Sequence, residues 1–185
     1  ALQHAVLAHQ ADIGIAFDGD GDRVVAVDQQ GQLVDGDGCL FVMACHAQWR
    51  GESVAGVVGT HMSNQGVVLS LQQRGVAFVR AEVGDRQVMS QLLQQNWQLG
   101  GEPSGHVIHL GHSTTGDGLI AALQLLQAMV EQQASLSDLC QDLHRLPQVL
   151  RNVPVVGDAA GLLSSGGVQQ AMAQVRQQLG AAGRL

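Results

Sequence analysis

The sequence predicts an α/β protein: a three-layer α/β sandwich domain with partial flanking domains. Three observations lead there. Short apolar runs alternate with segments of helical period through the middle of the chain, the pattern of strands covered by helices. The first ten residues and the last thirty or so show helical patterns without enough neighbouring strand to bury an apolar face. The length, 185 residues, suffices for one full domain and parts of others.

The elements follow in order. Residues 2–10 read as the end of a helix and 12–17 as a buried strand, with an acidic loop at its C-terminal end. Residues 24–28 read as the next strand, and Gln29-Gln30-Gly31 turns into Gln32-Leu33-Val34. A helix is expected after Asp37, with Asp35 or Asp37 as its N-cap and Leu40, Phe41, Met43, Ala44 and Ala47 apolar. Cys39 and Cys45 are expected on that helix as small hydrophobes. Strands at 53–58 and 76–80 alternate with helices at 64–74 and 85–95. Residues 97–101 form a strand that turns at Glu102-Pro103-Ser104-Gly105 into 106–110. A long amphipathic helix spans 118 to about 132, with Leu119, Ile120, Leu123, Leu126, Met129 and Val130 on the period and Asp117 or Thr115 as cap. Ser135-Leu136-Ser137-Asp138 opens a short helix over 135–144 with a capping-box pattern. Pro147 ends it, and 149–156 reads as strand. Residues 157–167 are a Gly-, Ser- and Ala-rich connection, 168–179 a helix, and Gly183-Arg184-Leu185 reads as the first residues of a strand. Both ends therefore read as cuts through domains.

Composition narrows the function classes. The 45% hydrophobic content supports a real core, and no apolar run approaches a membrane span. The N-terminus has no signal-like stretch. The formal charge is −7, the nine basic residues are all arginines, and there is no Tyr, which argues against nucleic-acid binding. Three cysteines without a C-x-x-C pair suit a reducing cytoplasm rather than a disulfide scaffold or zinc ribbon. The abundant glutamines sit among apolar residues at helical spacing and read as solvent faces of helices.

The most informative motif is Asp18-Gly19-Asp20-Gly21-Asp22-Arg23, directly after the apolar strand. Two carboxylates about 4 Å apart repel by roughly 4 kcal/mol at an effective dielectric of about 20. Such a cluster is most easily kept when a cation sits among the oxygens, and hard oxygen donors suit Mg²⁺ or Ca²⁺ rather than Zn²⁺. An EF-hand is excluded, because its glycine and glutamate positions, counted from Asp18, hold Arg23 and Gln29. A solvated acidic turn without an ion is the alternative.

A second loop, Gly101-Glu102-Pro103-Ser104-Gly105-His106, offers an acceptor, a hydroxyl and an imidazole, the mixed set that neighbouring sugar hydroxyls need. An ordinary Pro-Ser-Gly turn is the alternative for this loop taken alone. A zinc site at His106, His109 and His112 is disfavoured, since neither strand nor helix geometry clusters the three.

Taken with Gly59-Thr60-His61-Met62-Ser63-Asn64-Gln65-Gly66, Val83-Gly84-Asp85-Arg86 and Thr114-Thr115-Gly116-Asp117-Gly118, the two loops resemble the alpha-D-phosphohexomutase superfamily in motif and order over residues 1 to about 156. The M-S-N and T-T-G-D-G stretches favour its glucosamine branch over the glucose/mannose branch. The resemblance implies a domain division: 1–34 ending a second domain, 35–150 a third, 151–185 beginning a fourth. It implies that Asp18, Asp20 and Asp22 hold Mg²⁺ and that Arg23 faces the phosphate on a catalytic serine. It further implies that Glu102 and Ser104 bind sugar hydroxyls, that His106 assists charge or proton transfer at the phosphoryl group, and that Gly84 and Asp85 read the sugar's orientation. The implied partner is a small-molecule hexosamine phosphate, with no nucleic acid and no membrane, in the cytoplasm. The implied reaction interconverts glucosamine 6-phosphate and glucosamine 1-phosphate through a phosphoserine and a bisphosphate. The alternatives are a phosphoglucomutase or phosphomannomutase, or a non-catalytic metal- and sugar-phosphate-binding remnant.

No serine in the 185 residues lies in a T-A-S-H-N-P-like loop, and there is no R-x-S-G-T-E-P stretch. The 185-residue polypeptide alone is therefore expected to show no mutase turnover. A coupled assay with a sugar-bisphosphate primer checks this, and measurable turnover contradicts it.

Overall fold

The computed structural model describes residues 1–180 and 183–185. Helix α1 (Leu2–His9) stops at Gln10, which takes a left-handed conformation. It is followed by an antiparallel meander of β1 (Ile13–Phe17), β2 (Val24–Asp28) and β3 (Leu33–Val34). Phe17 pairs with Val24, so the acidic motif is the connection of the β1–β2 hairpin. The β2–β3 turn is tied by Asp28, whose Oδ1 accepts the N–H groups of Gln30 and Gln32 at 2.9 and 2.8 Å.

Asp35 is the N-cap of α2 (Gly36–Trp49); its Oδ1 accepts the Gly38 N–H at 3.0 Å. The guanidinium of Arg145 grips the same carboxylate at 2.9 and 2.5 Å, a forked pairing that fits planar groups. Asp37, the other expected cap, instead sits buried in the first turn. The next elements are β4 (Gly56–Thr60), α3 (Gln65–Gln73), β5 (Ala77–Ala81), α4 (Asp85–Gln95), β6 (Leu99–Gly101), β7 (Val107–His109) and α5 (Gly118–Gln132). The four strands lie in the order β5-β4-β6-β7, parallel except for β7.

Strand residues alternate between two cores, as the pleat requires. Val57, Leu99 and Val107 face a cluster with Leu40, Phe41, Leu71 and Leu125 from α2, α3 and α5. Val58 and Ile108 face a smaller one with Val88 and Leu92 of α4. Helices thus cover both faces of the sheet, the expected three layers. Val24, Ala26 and Val34 of the meander join the larger cluster, so both sheets share one core.

The inner stripe of α5 differs from the expected one. Ala121, Ala122, Leu125 and Ala128 are buried, while Leu119, Leu123 and Val130 are exposed. Three alanines let the helix approach the strands closely, and the bulkier residues turn outward. The predicted strand at 149–156 is not a strand: Val149, Val153 and Val156 are exposed and pair with nothing among the described residues. An apolar run becomes a strand only when a neighbour takes its backbone groups. The helix expected over 135–144 is one turn, α6 (Leu136–Leu139), held by the Ser135/Asp138 capping box. The connection expected at 157–167 contains α7 (Ala159–Leu163), capped by Asp158, and α8 (Gly166–Leu179) follows; neither has a buried residue. No strand forms at 183–185.

Asp37 generates a pH test. It is 1% exposed; its Oδ2 accepts the Asn64 N–H at 2.7 Å and its Oδ1 has no partner. Burial pushes its pKa up to about 6, the Asn64 N–H opposes, and neighbouring Asp35 adds to the rise. The folded protein therefore holds this proton more tightly than the unfolded chain. Stability from this group is full below about pH 4 and is lost as pH rises to about 6. At about 1.4 kcal/mol per pKa unit, the loss is roughly 3 kcal/mol. Asp37→Asn keeps an acceptor oxygen without the charge. In urea unfolding it is expected to exceed the wild type at pH 7 by up to about that amount and to match it at pH 4. An equal difference at both pH values contradicts the assignment.

Candidate active site

The hairpin loop gathers its carboxylates by its own backbone. Asp18 Oδ1 accepts the N–H groups of Gly21 and Arg23 at 3.1 and 3.2 Å, which curls the loop. Partial desolvation disfavours the charged form of Asp18. Hydrogen bonds from the Arg23 and Gly21 N–H groups and the Arg23 charge outweigh this and hold its pKa below the ordinary value. One carboxylate oxygen from each of Asp18, Asp20 and Asp22 lies within 4.8 Å of the others. Asp18 and Asp20 are exposed and Asp22 half-buried. Three hard oxygens so close, open on one side, fit Mg²⁺, which keeps several of its positions for water or phosphate oxygen. Among the described residues this is the one group of three metal-ligating side chains so gathered, and it includes no histidine.

The second loop is stitched to the first. Val24 N–H donates to Gly105 O at 3.0 Å, and Arg23 bridges His106 in antiparallel fashion. Gly105 has φ +97, and a Cβ there would meet Val24 O at 2.1 Å, so only glycine allows this contact. His106 is 4% exposed and its Nδ1 lies 3.0 Å from Asp22 Oδ2. Its Nε2 is buried without a partner, packed where Gly116 leaves room. A metal-binding carboxylate aimed by a buried neighbour is the usual way a ligand is oriented.

The expected sugar loop is partly assembled. Glu102 Oε1 accepts the Gly84 N–H at 2.9 Å, which brings those two residues together. Asp85 begins α4, exposed, with its Oδ1 accepting the Arg86 N–H at 2.7 Å. Ser104 is exposed at the turn. Arg23 is half-exposed, its Nε 3.8 Å from Asp18 Oδ2, leaving donors free for an incoming anion. The T-T-G-D-G segment closes the group: Asp117 caps α5, and Gly118 N–H donates to Gly21 O at 3.0 Å.

Sequence reasoning missed two neighbours, Arg86 and Thr115. With Asp85, Met89 and His106 they line a recess of about 420 Å³. The signal was present in the Gly84-Asp85-Arg86 run, but an arginine one residue into a helix reads as solvent-facing until the sheet places His106 beside it.

Residues 35–146 match the family model of the phosphoglucomutase/phosphomannomutase alpha/beta/alpha domain III. Phosphoglucosamine mutase 2 of Shewanella baltica is 50% identical across the whole chain, which spans 41% of that relative's length. Among solved structures, an N-acetylglucosamine-phosphate mutase in the apo form matches with TM-score 0.71 at 20% identity, over 90% of this chain and 40% of that one. An Aspergillus fumigatus N-acetylphosphoglucosamine mutase in complex with GlcNAc-6P and magnesium matches with TM-score 0.69 at 18% identity, over 89% and 43%.

The acidic loop predicts cation binding by the 185-residue chain itself. Mg²⁺ is expected to raise its melting temperature; a ligand at roughly a hundred times its Kd adds about 2.7 kcal/mol. The shift is expected to disappear in Asp20→Asn. A thermal scan across a Mg²⁺ series checks this, and an equal shift in both proteins contradicts it.

Proposed function

We propose that this chain, which belongs to the phosphoglucomutase/phosphomannomutase family, carries the metal loop and sugar-binding turn of a phosphoglucosamine mutase. The single observation that carries the reading is the joining of the Asp18, Asp20 and Asp22 cluster to the GEPSGH turn through the His106–Asp22 contact. The whole-chain identity to phosphoglucosamine mutases supports the glucosamine preference over glucose or mannose. On this reading the protein interconverts glucosamine 6-phosphate and glucosamine 1-phosphate in the cytoplasm, through a phosphoserine and a bisphosphate. Residues 1–34, 35–150 and 151–185 belong to its second, third and fourth domains.

Phosphoryl transfer needs positioning and charge neutralisation more than covalent help from the protein. Asp18, Asp20 and Asp22 would hold Mg²⁺, which supplies a counter-charge for the phosphoryl oxygens. Arg23 offers a guanidinium fork to phosphate from the loop's exposed side. Glu102 accepts from one of the sugar's hydroxyls while its other oxygen fixes the backbone at Gly84, so Glu102 and the loop bearing Gly84 and Asp85 read the sugar as one unit. Ser104 adds a second hydroxyl partner from the turn. His106 supports Asp22 through Nδ1 and borders the Arg86 recess, so it acts on the phosphoryl group through the carboxylate it orients.

The test belongs to the intact protein, with glucosamine 6-phosphate set against glucose 6-phosphate and mannose 6-phosphate; preference for either hexose phosphate overturns the glucosamine reading. In that protein Asp20→Asn is expected to lower kcat by about 10²–10³-fold, the scale of losing a preorganised electrostatic contact. His106→Gln is expected to lower activity by about 10–100-fold, the scale of losing a residue that orients a metal ligand, with little change in melting temperature. Collapse of stability at unchanged specific activity would make His106 a structural residue only.

A further inference from the structure

A second recess lies at the opposite end of the four-stranded sheet. In the β6–β7 pairing, Gly101 faces Val107 beside the GEPSGH turn, while Leu99 faces His109 at the far end. There the starts of β4 and β6, the end of β7 and the helices α2 and α5 enclose a cavity of about 200 Å³. Nothing in the phosphoryl-transfer reading uses it.

Two polar atoms in its wall are buried without a hydrogen-bond partner, Nε2 of His46 and Nδ1 of His109. The His46 side chain is only 9% exposed. Its Nδ1 lies 3.0 Å from the side-chain nitrogen of Gln132, which can only donate, so Nδ1 accepts and Nε2 carries the proton. Glu131 Oε2 is 3.3 Å from Nε2 without the alignment of a hydrogen bond. Burial, and then the neighbouring His112 ring, lower the pKa of His109, with Glu52 opposing, which favours the neutral imidazole with one donor and one acceptor nitrogen. Unsatisfied buried groups of this kind cost stability until something fills the space and bonds to them.

The charges at the rim select what that is. Arg50 is engaged by Glu52 at 3.0 Å and by Glu131 at 3.4 Å. One guanidinium against two carboxylates leaves nothing for a phosphate. Trp97 gives one flat apolar wall, and Gln98 and Gln124 add amides. The volume is below the roughly 300–1,000 Å³ of sites for larger ligands, which limits the occupant to about one ring. A ring with one apolar face and a rim of groups that both donate and accept satisfies every one of these walls. We propose that this cavity is a second small-molecule site, separate from the acidic loop, that takes an uncharged pyranose lacking phosphate.

The test needs no enzymatic activity and so stands apart from the mutase reading. The 185-residue chain is titrated with D-glucose and, separately, with glucose 6-phosphate. Trp fluorescence is followed together with the imidazole NMR signals of His46, His109 and His106. Both tryptophans report locally, since Trp97 lines the cavity and Trp49 stacks on His46 at 5.8 Å. Glucose is expected to shift His46 and His109 saturably while leaving His106 unmoved, and glucose 6-phosphate is expected to leave His46 and His109 unmoved. His109→Ala is expected to weaken glucose binding at least tenfold. Gln124→Ala, a helix-compatible change on α5, is expected to weaken it at least threefold if the first variant fails to fold. No saturation at tens of millimolar glucose means a water-filled cavity and overturns the proposal. So does a response confined to His106, or one unchanged in both variants.

Discussion

The structure of the site depends on one seam: the backbone joining of the acidic hairpin to the GEPSGH turn. Val24 donates to Gly105, Arg23 bridges His106, and Gly118 donates to Gly21. These contacts bring three stretches of chain to one point and set His106 Nδ1 3.0 Å from Asp22. A Cβ at Gly118 would meet the carbonyls of Arg23 and Gly21 at 2.7 and 2.8 Å, so the third stretch closes on the loop only because that residue has no side chain. The loop curls through its own backbone, but its placement against the turn is a property of two sheets held together, and the core they share holds the seam shut.

The electrostatics of the loop are uneven in a useful way. Asp18 is satisfied by two backbone N–H groups and leans on Arg23. Asp22 has a buried imidazole behind it. Asp20 is exposed. Two carboxylates are thus aimed by the protein and the third is left to complete whatever binds between them. A cation bound there would relieve repulsion among the three at little structural cost, since their geometry exists without it. The sheet's other end has the reverse character: imidazoles, amides and a neutralised arginine around an enclosed space.

Much of this was legible in the residues. Strand and helix alternation gave the layers because each apolar run found a partner that hides it. The acidic motif was legible because three alternating carboxylates have few bland explanations. What failed did so for physical reasons. Val149–Val156 has strand composition, yet strands are made by neighbours and none is present among the described residues. The α5 stripe was misassigned because burial there favours alanines that let backbones approach, while periodicity counts bulky side chains. Both Asp35 and Asp37 fit the cap position; the choice is made by Arg145, 110 residues away along the chain, which no local pattern reveals. The His106–Asp22 contact, spanning 84 residues, was invisible for the same reason.

That separation bears on the order in which the molecule assembles. The β1–β2 hairpin closes over a short loop and needs little chain entropy, whereas the seam requires the three intervening helix–strand units to be in place first. Until then Asp22 has no imidazole behind it and the three carboxylates are free to splay under their own repulsion. The finished arrangement of the three carboxylates is then a late event, a consequence of completed folding rather than its nucleus.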